Sequence, residues 1–350
     1  MLGTDEPRYD DPDPELRRAA DEWLGRIEPA RLRSIVSSLP GPRNRLHAPE
    51  AMAEADALIA GAWREAGWRV GRQRLRLRNV LARLDYPVGE RGAYPVHRYP
   101  QLEGSNLVAI AEGEVREAIV IVAHHDTVRD APGADDNGAG VAALLELATS
   151  FRGRRFRRTV ILAAPDFEEI GLIGSRYLVR WLRRHHPVKA SVVFDPIGYM
   201  NPAPGSQAVP GGIDRLYPGQ VARLMERGRA GDTVVGLYRR RSVRLVREWG
   251  RCMAATIGRE RVILLRDPLD LPFWGRLLRA LPAARDFSRS DHVNFWNAGL
   301  PAIHVTNTAN FRNPNYHRRS DTPDTVDYDT LAGIVAATGL LIERLADGDA

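Results

Sequence analysis

Hydrophobic positions change their period along this chain, and each change predicts an element. Apolar side chains recur at helical spacing between residues 51 and 68, and from 68 to 77 apolar and arginine positions alternate as in an exposed strand. A helix leading into an edge hairpin follows from that switch. The stretch 85–104, with Pro87, Pro95 and Pro100, reads as a loop before a strand resumes at 106–110. Three continuous apolar, β-branched runs then occur at 118–123, 159–164 and 191–194, the pattern of strands buried on both faces. Helical patterns separate them, at 140–151, where Leu144, Leu145, Leu147 and Ala148 would pack on a sheet, and at 173–184. Strand, helix, strand, helix, strand predicts a centrally parallel sheet with right-handed crossovers, so the loops that follow the strands gather on the side where ligands bind in open α/β sheets.

From 196 to about 285 the pattern is irregular, broken by Pro202, Pro204, Pro210 and Pro218 and containing one helical run at 239–257; it reads as a lid segment over the site. A strand at 300–305 and a terminal helix at 327–346, apolar at Leu331, Ile334, Val335, Leu340, Leu341 and Leu345, complete the chain. Residues 1–14 are polar and proline-rich and are expected to be disordered, having little apolar surface to offset ordering entropy. Residues 15–350 are expected to form a single domain.

The 350 residues and 44% hydrophobic content fit one large soluble α/β unit. A net charge of +6 raises nucleic acid as a partner, but the basic clusters at 154–158 and 239–244 are short and lack interleaved aromatics, so they read as solvated faces. No nucleic-acid partner is expected. Cys252 stands alone, which excludes an intrachain disulfide and a Cys-based metal site, and its apolar neighbours make it a small core residue. The sequence offers no secretory signal and no run of 18 apolar residues, so a cytoplasmic location without membrane contact is expected. Oligomeric state is not readable.

The chemistry lies where the predicted strands end. The first ends in Ala123-His124-His125-Asp126 and is followed by a loop containing Asp135-Asp136-Asn137; the second ends in Glu168-Glu169, the third in Asp195-Pro196. Imidazoles and carboxylates on rigid strand ends suit a hydrolytic metal site. Two neighbouring cations need a shared anionic ligand to offset their repulsion, and Asp136 is the candidate. Strand alternation points His124 and Asp126 the same way, so Asp126 can hold the second nitrogen of His124, while His125 faces away. Of the adjacent acids, Glu169 is assigned as a ligand and Glu168 as the general base. A fifth ligand must come from far along the chain, and His317 in a polar loop before the last helix offers it, with Tyr316 placed to donate to an oxyanion. Asp135 and Asn137 read as turn and helix-cap residues, Asp291-His292 as a brace for the pocket, and Trp274 and Trp296 as pocket or core aromatics.

Taken together, AHHDT, PGADDNGAG, EEIGLIGS, FDPIGY, SRSDHVNFWNAGLPAI and FRNPNYHRRSDTPDTVDYD resemble the co-catalytic zinc peptidases that include bacterial leucyl aminopeptidases, glutamate carboxypeptidase and the glutaminyl cyclases. The resemblance runs in order from about Asn106 to the terminal helix. It implies a three-layer α/β/α sandwich around a mixed sheet and two zinc ions per chain. His124 and Asp195 would bind one ion, Glu169 and His317 the other, with Asp136 bridging and Glu168 as base. The implied activity is removal of an amino-terminal residue from peptides. Hydrolysis of a dipeptide or small amino-acyl amide, glutaminyl cyclisation, and a non-catalytic binding role are the alternatives. The 196–285 segment carries no readable code for the substrate side chain.

Overall fold

In the third strand of the sheet, alternate residues feed opposite cores: Ile119 and Ile121 join the cluster on one face, Val120 and Val122 the cluster on the other. That is the behaviour of a strand covered on both sides, and it explains why its sequence is continuously apolar rather than alternating. The computed structural model describes residues 6–83, 96–271, 275, 284 and 286–348. Its strands are β1 (Arg69–Arg83), β2 (Val96–Ala111), β3 (Val115–Val122), β4 (Arg158–Ala164), β5 (Val188–Phe194), β6 (Val234–Tyr238), β7 (Val262–Arg266) and β8 (Ile303–Thr306). They form one sheet in the order β1-β2-β4-β3-β5-β8-β6-β7. The centre, β4-β3-β5-β8, is parallel; β2 joins β4 antiparallel, β6 joins β8 antiparallel, and β7 runs parallel to β6.

The larger core packs helices α1 (Pro14–Leu24), α2 (Pro29–Ser38), α3 (Pro49–Glu65), α4 (Gly140–Ser150), α8 (Val243–Ile257) and α10 (Tyr328–Asp347) on one face. The other face carries α5 (Ile173–His185), the short α6 (Ile213–Leu216) and α9 (His292–Asn297), with α7 (Pro218–Glu226) beside α6. The expected three-layer α/β/α arrangement around a mixed, centrally parallel sheet is therefore present. Cys252 is buried in α8, and burial pushes its thiol up to about 12, so it behaves as a small apolar residue. No helix among the described residues is long and apolar enough to cross a membrane.

Three expectations are corrected. Of the expected loop 85–104, residues 85–95 lie outside the described residues and the rest is strand from Val96 onward, because the β1–β2 ladder runs well past the point where β4 stops pairing, at Leu107. Pro100 lies in that outer stretch, where β2 has no strand on its far side among the described residues and a missing N–H costs least. The described part of the expected lid 196–285 contains β6, β7 and α8, all of which contribute to the two cores, while residues 272–274, 276–283 and 285 of it lie outside the described residues. Pro202, Pro204 and Pro210 fall in the connection after β5 and Pro218 opens α7, so they suggest irregularity that the strands further along do not share. Finally, the described part of the tail expected to be disordered is packed: Tyr9 is buried against α8 at Gly250, and Glu6 accepts a hydrogen bond from the Leu264 amide at 2.7 Å. Buried Pro7 and Pro12 reduce the entropy lost on ordering it, and Asp13 caps α1 by accepting from the Leu16 amide.

Candidate metal centre

Parallel strands deliver their C-terminal ends to one rim, and four of the side chains singled out above arrive there directly. His124 follows β3, Glu168 and Glu169 follow β4, and Asp195 follows β5. Asp136 comes from the turn Ala134–Ala139 that leads into α4 and is joined to Asn137 by a cis peptide bond. Gly133, at φ +65°, opens that turn where a Cβ would run into the Asp136 carbonyl. His317 completes the group from the loop before α10, at a φ of +56°, a conformation uncommon for non-glycine residues.

The five proposed ligands converge. His124 Nε2 lies 3.2 Å from Asp136 Oδ1 and 3.5 Å from Asp195 Oδ1. His317 Nε2 lies 3.1 Å from Asp136 Oδ2 and 3.3 Å from Glu169 Oε2. Asp136 thus turns one oxygen to each imidazole, between two three-residue sets. Glu168 also places a carboxylate oxygen within 4.8 Å of donors from His124 and Asp195. The His124 Nδ1 faces the Asp126 carbonyl at 3.0 Å, so in the neutral ring Nδ1 donates and Nε2 presents its lone pair. His124 Nε2, Asp136 Oδ1 and Glu169 Oε1 are buried without a hydrogen-bond partner among the described residues, although other donor atoms stand close by. Buried acceptors that face one another with nothing shared between them are costly unless a cation fills the gap.

The electrostatics agree. Burial, together with Asp195, Glu169 and Asp291, raises Glu168 well above the ordinary glutamate value. Burial and Asp136 push Glu169 up to about 7. Burial alone would lower both imidazoles, yet the surrounding carboxylates raise His124 and His317 well above normal. The cluster draws positive charge onto itself, and this oxygen and imidazole donor set fits a divalent metal ion.

Asp126 plays a different part from the one expected. Its carbonyl, rather than its carboxylate, meets His124; the carboxylate lies 3.6 Å away and accepts instead from the amides of Glu168 at 3.1 Å and Glu169 at 3.2 Å. It thereby locks the β4 end to the β3 end. His125 turns away as expected, with its ring nitrogens on Asp56 at 3.0 Å and the Pro165 carbonyl at 2.8 Å. His292 braces the Phe287 carbonyl at 2.9 Å, whereas both Asp291 oxygens are buried without a hydrogen-bond partner among the described residues and burial pushes that carboxyl up to about 7. Tyr316 stacks on His317 with ring centroids 3.9 Å apart. Trp296 is a core residue bonded to the Ala302 carbonyl at 2.9 Å, and Trp274 lies outside the described residues.

Two supports were missed in the sequence. Asp135, read as a turn residue, is a buried hub that accepts from the amides of Gly198 and Tyr199 and from the side chains of Asn307 and Asn313. It ties the Asp136 turn to the loops after β5 and β8 and to the approach to His317; the doubled aspartate was the only available signal. Asp135→Ala leaves those buried donors unpaired and is expected to lower folding stability by at least about 3 kcal/mol in denaturant unfolding. Arg43, from the α2–α3 connection, is fully buried and donates to the carbonyls of His125, Pro132 and Gly133, gripping the two loops that present His124 and Asp136. Nothing in its local sequence marks it.

An apolar pocket between β6, β7 and the α6–α7 segment is lined by Val209, Val235, Leu237, Phe287, Thr306 and Phe311 among others. Thr306 belongs to β8, which pairs with β5, and Asp195 donates its amide to the Val305 carbonyl at 3.0 Å. The pocket reaches that rim through Thr306 and extends from it over β6 and β7, and none of the five donors lines it.

Residues 106–227 and 276–341 match the profile of peptidase family M28. The uncharacterized protein YfbL of Escherichia coli (strain K12) is 32% identical over 231 residues, covering 62% of this chain and 64% of that protein. A "probable zinc metalloprotease" of Pyricularia oryzae is 31% identical over 189 residues, 49% of this chain and 35% of that protein. The chain thus spans less than two thirds of either relative. Among solved structures, BSAP, a zinc aminopeptidase from Bacillus subtilis, superposes with a TM-score of 0.66 over 92% of this chain and 96% of that one at 15% identity, a likeness of fold.

Proposed function

The chain belongs to peptidase family M28, and from that premise we propose that it is a zinc-dependent exopeptidase that hydrolyses the amino-terminal bond of a peptide. The observation that carries this reading is the convergence of His124, Asp136, Glu169, Asp195 and His317 into two sets of donors that share Asp136. In this reading His124 and Asp195 hold one zinc, Glu169 and His317 the other, and Asp136 serves both. Bound there, the ions would polarise the scissile carbonyl and make a water acidic enough to attack it near neutral pH.

The chain's own residues do the rest. Glu168 stands within the same cluster without being needed as a ligand, so it takes the proton from the attacking water and later passes it to the leaving amine. Asp126 positions it by holding the Glu168 and Glu169 amides. The Tyr316 hydroxyl donates to the oxygen on which negative charge develops. Two dications would balance the charge of Asp136, Glu168, Glu169 and Asp195, and buried Arg43 offsets Asp126, which leaves the unpartnered Asp291 carboxyl to favour a substrate that brings a positive charge of its own. A free amino terminus supplies it. The apolar pocket that reaches the rim at Thr306 takes the side chain of that first residue.

The test is a screen of aminoacyl anilides, dipeptides and amino-terminal glutaminyl peptides on zinc-loaded protein, with metal analysis of the same sample. Release of an apolar amino-terminal residue by protein holding two zinc ions is expected. Cyclisation of the glutaminyl peptides without hydrolysis of the others, or full turnover by metal-free protein, would replace the proposal.

A further inference from the structure

Of the five proposed ligands, His317 alone stands neither at a strand end nor in the turn before α4. What holds its loop is the turn that carries Asp136. Four residues before His317, the Asn313 side chain donates to the Asp135 carboxylate at 2.7 Å. Four residues after it, the Asp321 carboxylate accepts two consecutive amides of the same turn, Asp135 at 2.8 Å through Oδ1 and Asp136 at 3.1 Å through Oδ2. The Asp321 carbonyl accepts the Ala134 amide at 3.1 Å. Asp321 is buried, so water does not compete for these bonds. Asp136 then returns to His317 through its own Oδ2 at 3.1 Å, which closes a circuit of His317, Asp321 and Asp136. The other set of donors is held by the sheet: His124 and Asp195 follow β3 and β5, which pair directly, and the Asp195 amide donates to the Val305 carbonyl. The turn itself has further anchors, Asp135 on Gly198, Tyr199 and Asn307, and Arg43 on the Gly133 carbonyl.

We infer that Asp321 is a positioning residue for the ion held by Glu169 and His317: it clasps the His317 loop to the Asp136 turn before the ion arrives. This rests on the two-ion reading given above. Both carboxylate oxygens of Asp321 are engaged by backbone amides, so the residue acts through the loop of His317 and touches neither ion nor substrate. With the clasp closed, little loop freedom remains to be lost when the ion binds. With it open, His317 has to be ordered against Asp136 and Glu169 at that moment, and the cost appears as weaker binding. The ion at His124 and Asp195 is spared, because its donors stand on paired strand ends and the Asp136 turn keeps the anchors supplied by Asp135 and Arg43.

The experiment titrates the metal-free full chain with zinc against a chromophoric chelator and reads the stepwise affinities. It compares the wild type, His317→Ala, Asp321→Asn, Asp321→Glu and the double variant Asp321→Asn/His317→Ala. The step lost in His317→Ala marks the ion of Glu169 and His317. In Asp321→Asn that step is expected to weaken about 10- to 100-fold and the other to change little, because the new NH2 faces an N–H that a carboxylate oxygen had accepted. Asp321→Glu keeps the charge but moves the oxygens by one methylene; it is expected to weaken the same step, and it carries the test if Asp321→Asn does not fold. In the His317→Ala background, Asp321→Asn is expected to leave the remaining step unchanged, because the two residues act as one unit. Equal weakening of both steps, no weakening of the His317 step, or wild-type affinity in Asp321→Glu overturns the inference and leaves the two-ion reading standing. A wild type that takes up one zinc ion or none removes that reading and the inference with it.

Discussion

Replacing Glu168 with glutamine is expected to leave two zinc ions bound and to lower kcat by about 10³-fold, with KM little changed, since general-base catalysis contributes about 10²–10⁴. The amide fills the same space but cannot take a proton. Neither of its neighbours is placed to substitute: Glu169 is turned toward His317 at 3.3 Å, and the Asp126 carboxylate is engaged by two backbone amides. The elevated affinity of Glu168 for protons comes from burial, Asp195, Glu169 and Asp291, and bound dications oppose all of these, bringing the group back toward a value from which it can accept and release a proton. Steady-state kinetics and metal analysis of one preparation check the prediction. Activity within tenfold of the wild type, at unchanged zinc content, would take the base role away from Glu168.

Asp136→Ala is expected to reduce bound zinc from two ions to one or none and to abolish detectable turnover. Asp136 offers Oδ1 to His124 and Oδ2 to His317 at 3.2 and 3.1 Å, so its removal takes a ligand from both sets at once and also removes the charge between them. Against the burial that would raise it, those two imidazoles hold the Asp136 carboxyl well below the ordinary range, so it is an anion at every working pH. The neighbouring hub, Asp135, separates the effects: its loss strikes folding first, whereas Asp136→Ala strikes zinc content first. Zinc content and calorimetry of both variants distinguish the two aspartates.

The centre was legible in the sequence because its residues sit at the ends of strands whose continuous apolar runs are unmistakable. β3, β4 and β5 fix the direction of the chain, and right-handed crossovers then leave one rim on which His124, Glu168, Glu169 and Asp195 can emerge. What was not legible depended on tertiary context. The strands β6 and β7 are only five residues each and are flanked by prolines and short helices, so their membership in the sheet follows from pairing with β8 rather than from a local pattern. Pro100 masked the outer half of β2 because a proline is tolerated only where no neighbour needs its N–H. Asp126 was rightly placed beside His124, but alternation along a strand cannot show that its carboxylate reaches across to amides at the end of another. Arg43 is a single arginine in an arginine-rich chain, and only the groups that surround it give it meaning.

The most direct measurement is anomalous diffraction at the zinc absorption edge from crystals of the purified chain. Two peaks are expected on either side of Asp136, about 3.5–4 Å apart, one beside His124 and Asp195 and the other beside Glu169 and His317. A single peak, peaks at other residues, or no peak from zinc-saturated protein would contradict the proposed two-ion centre.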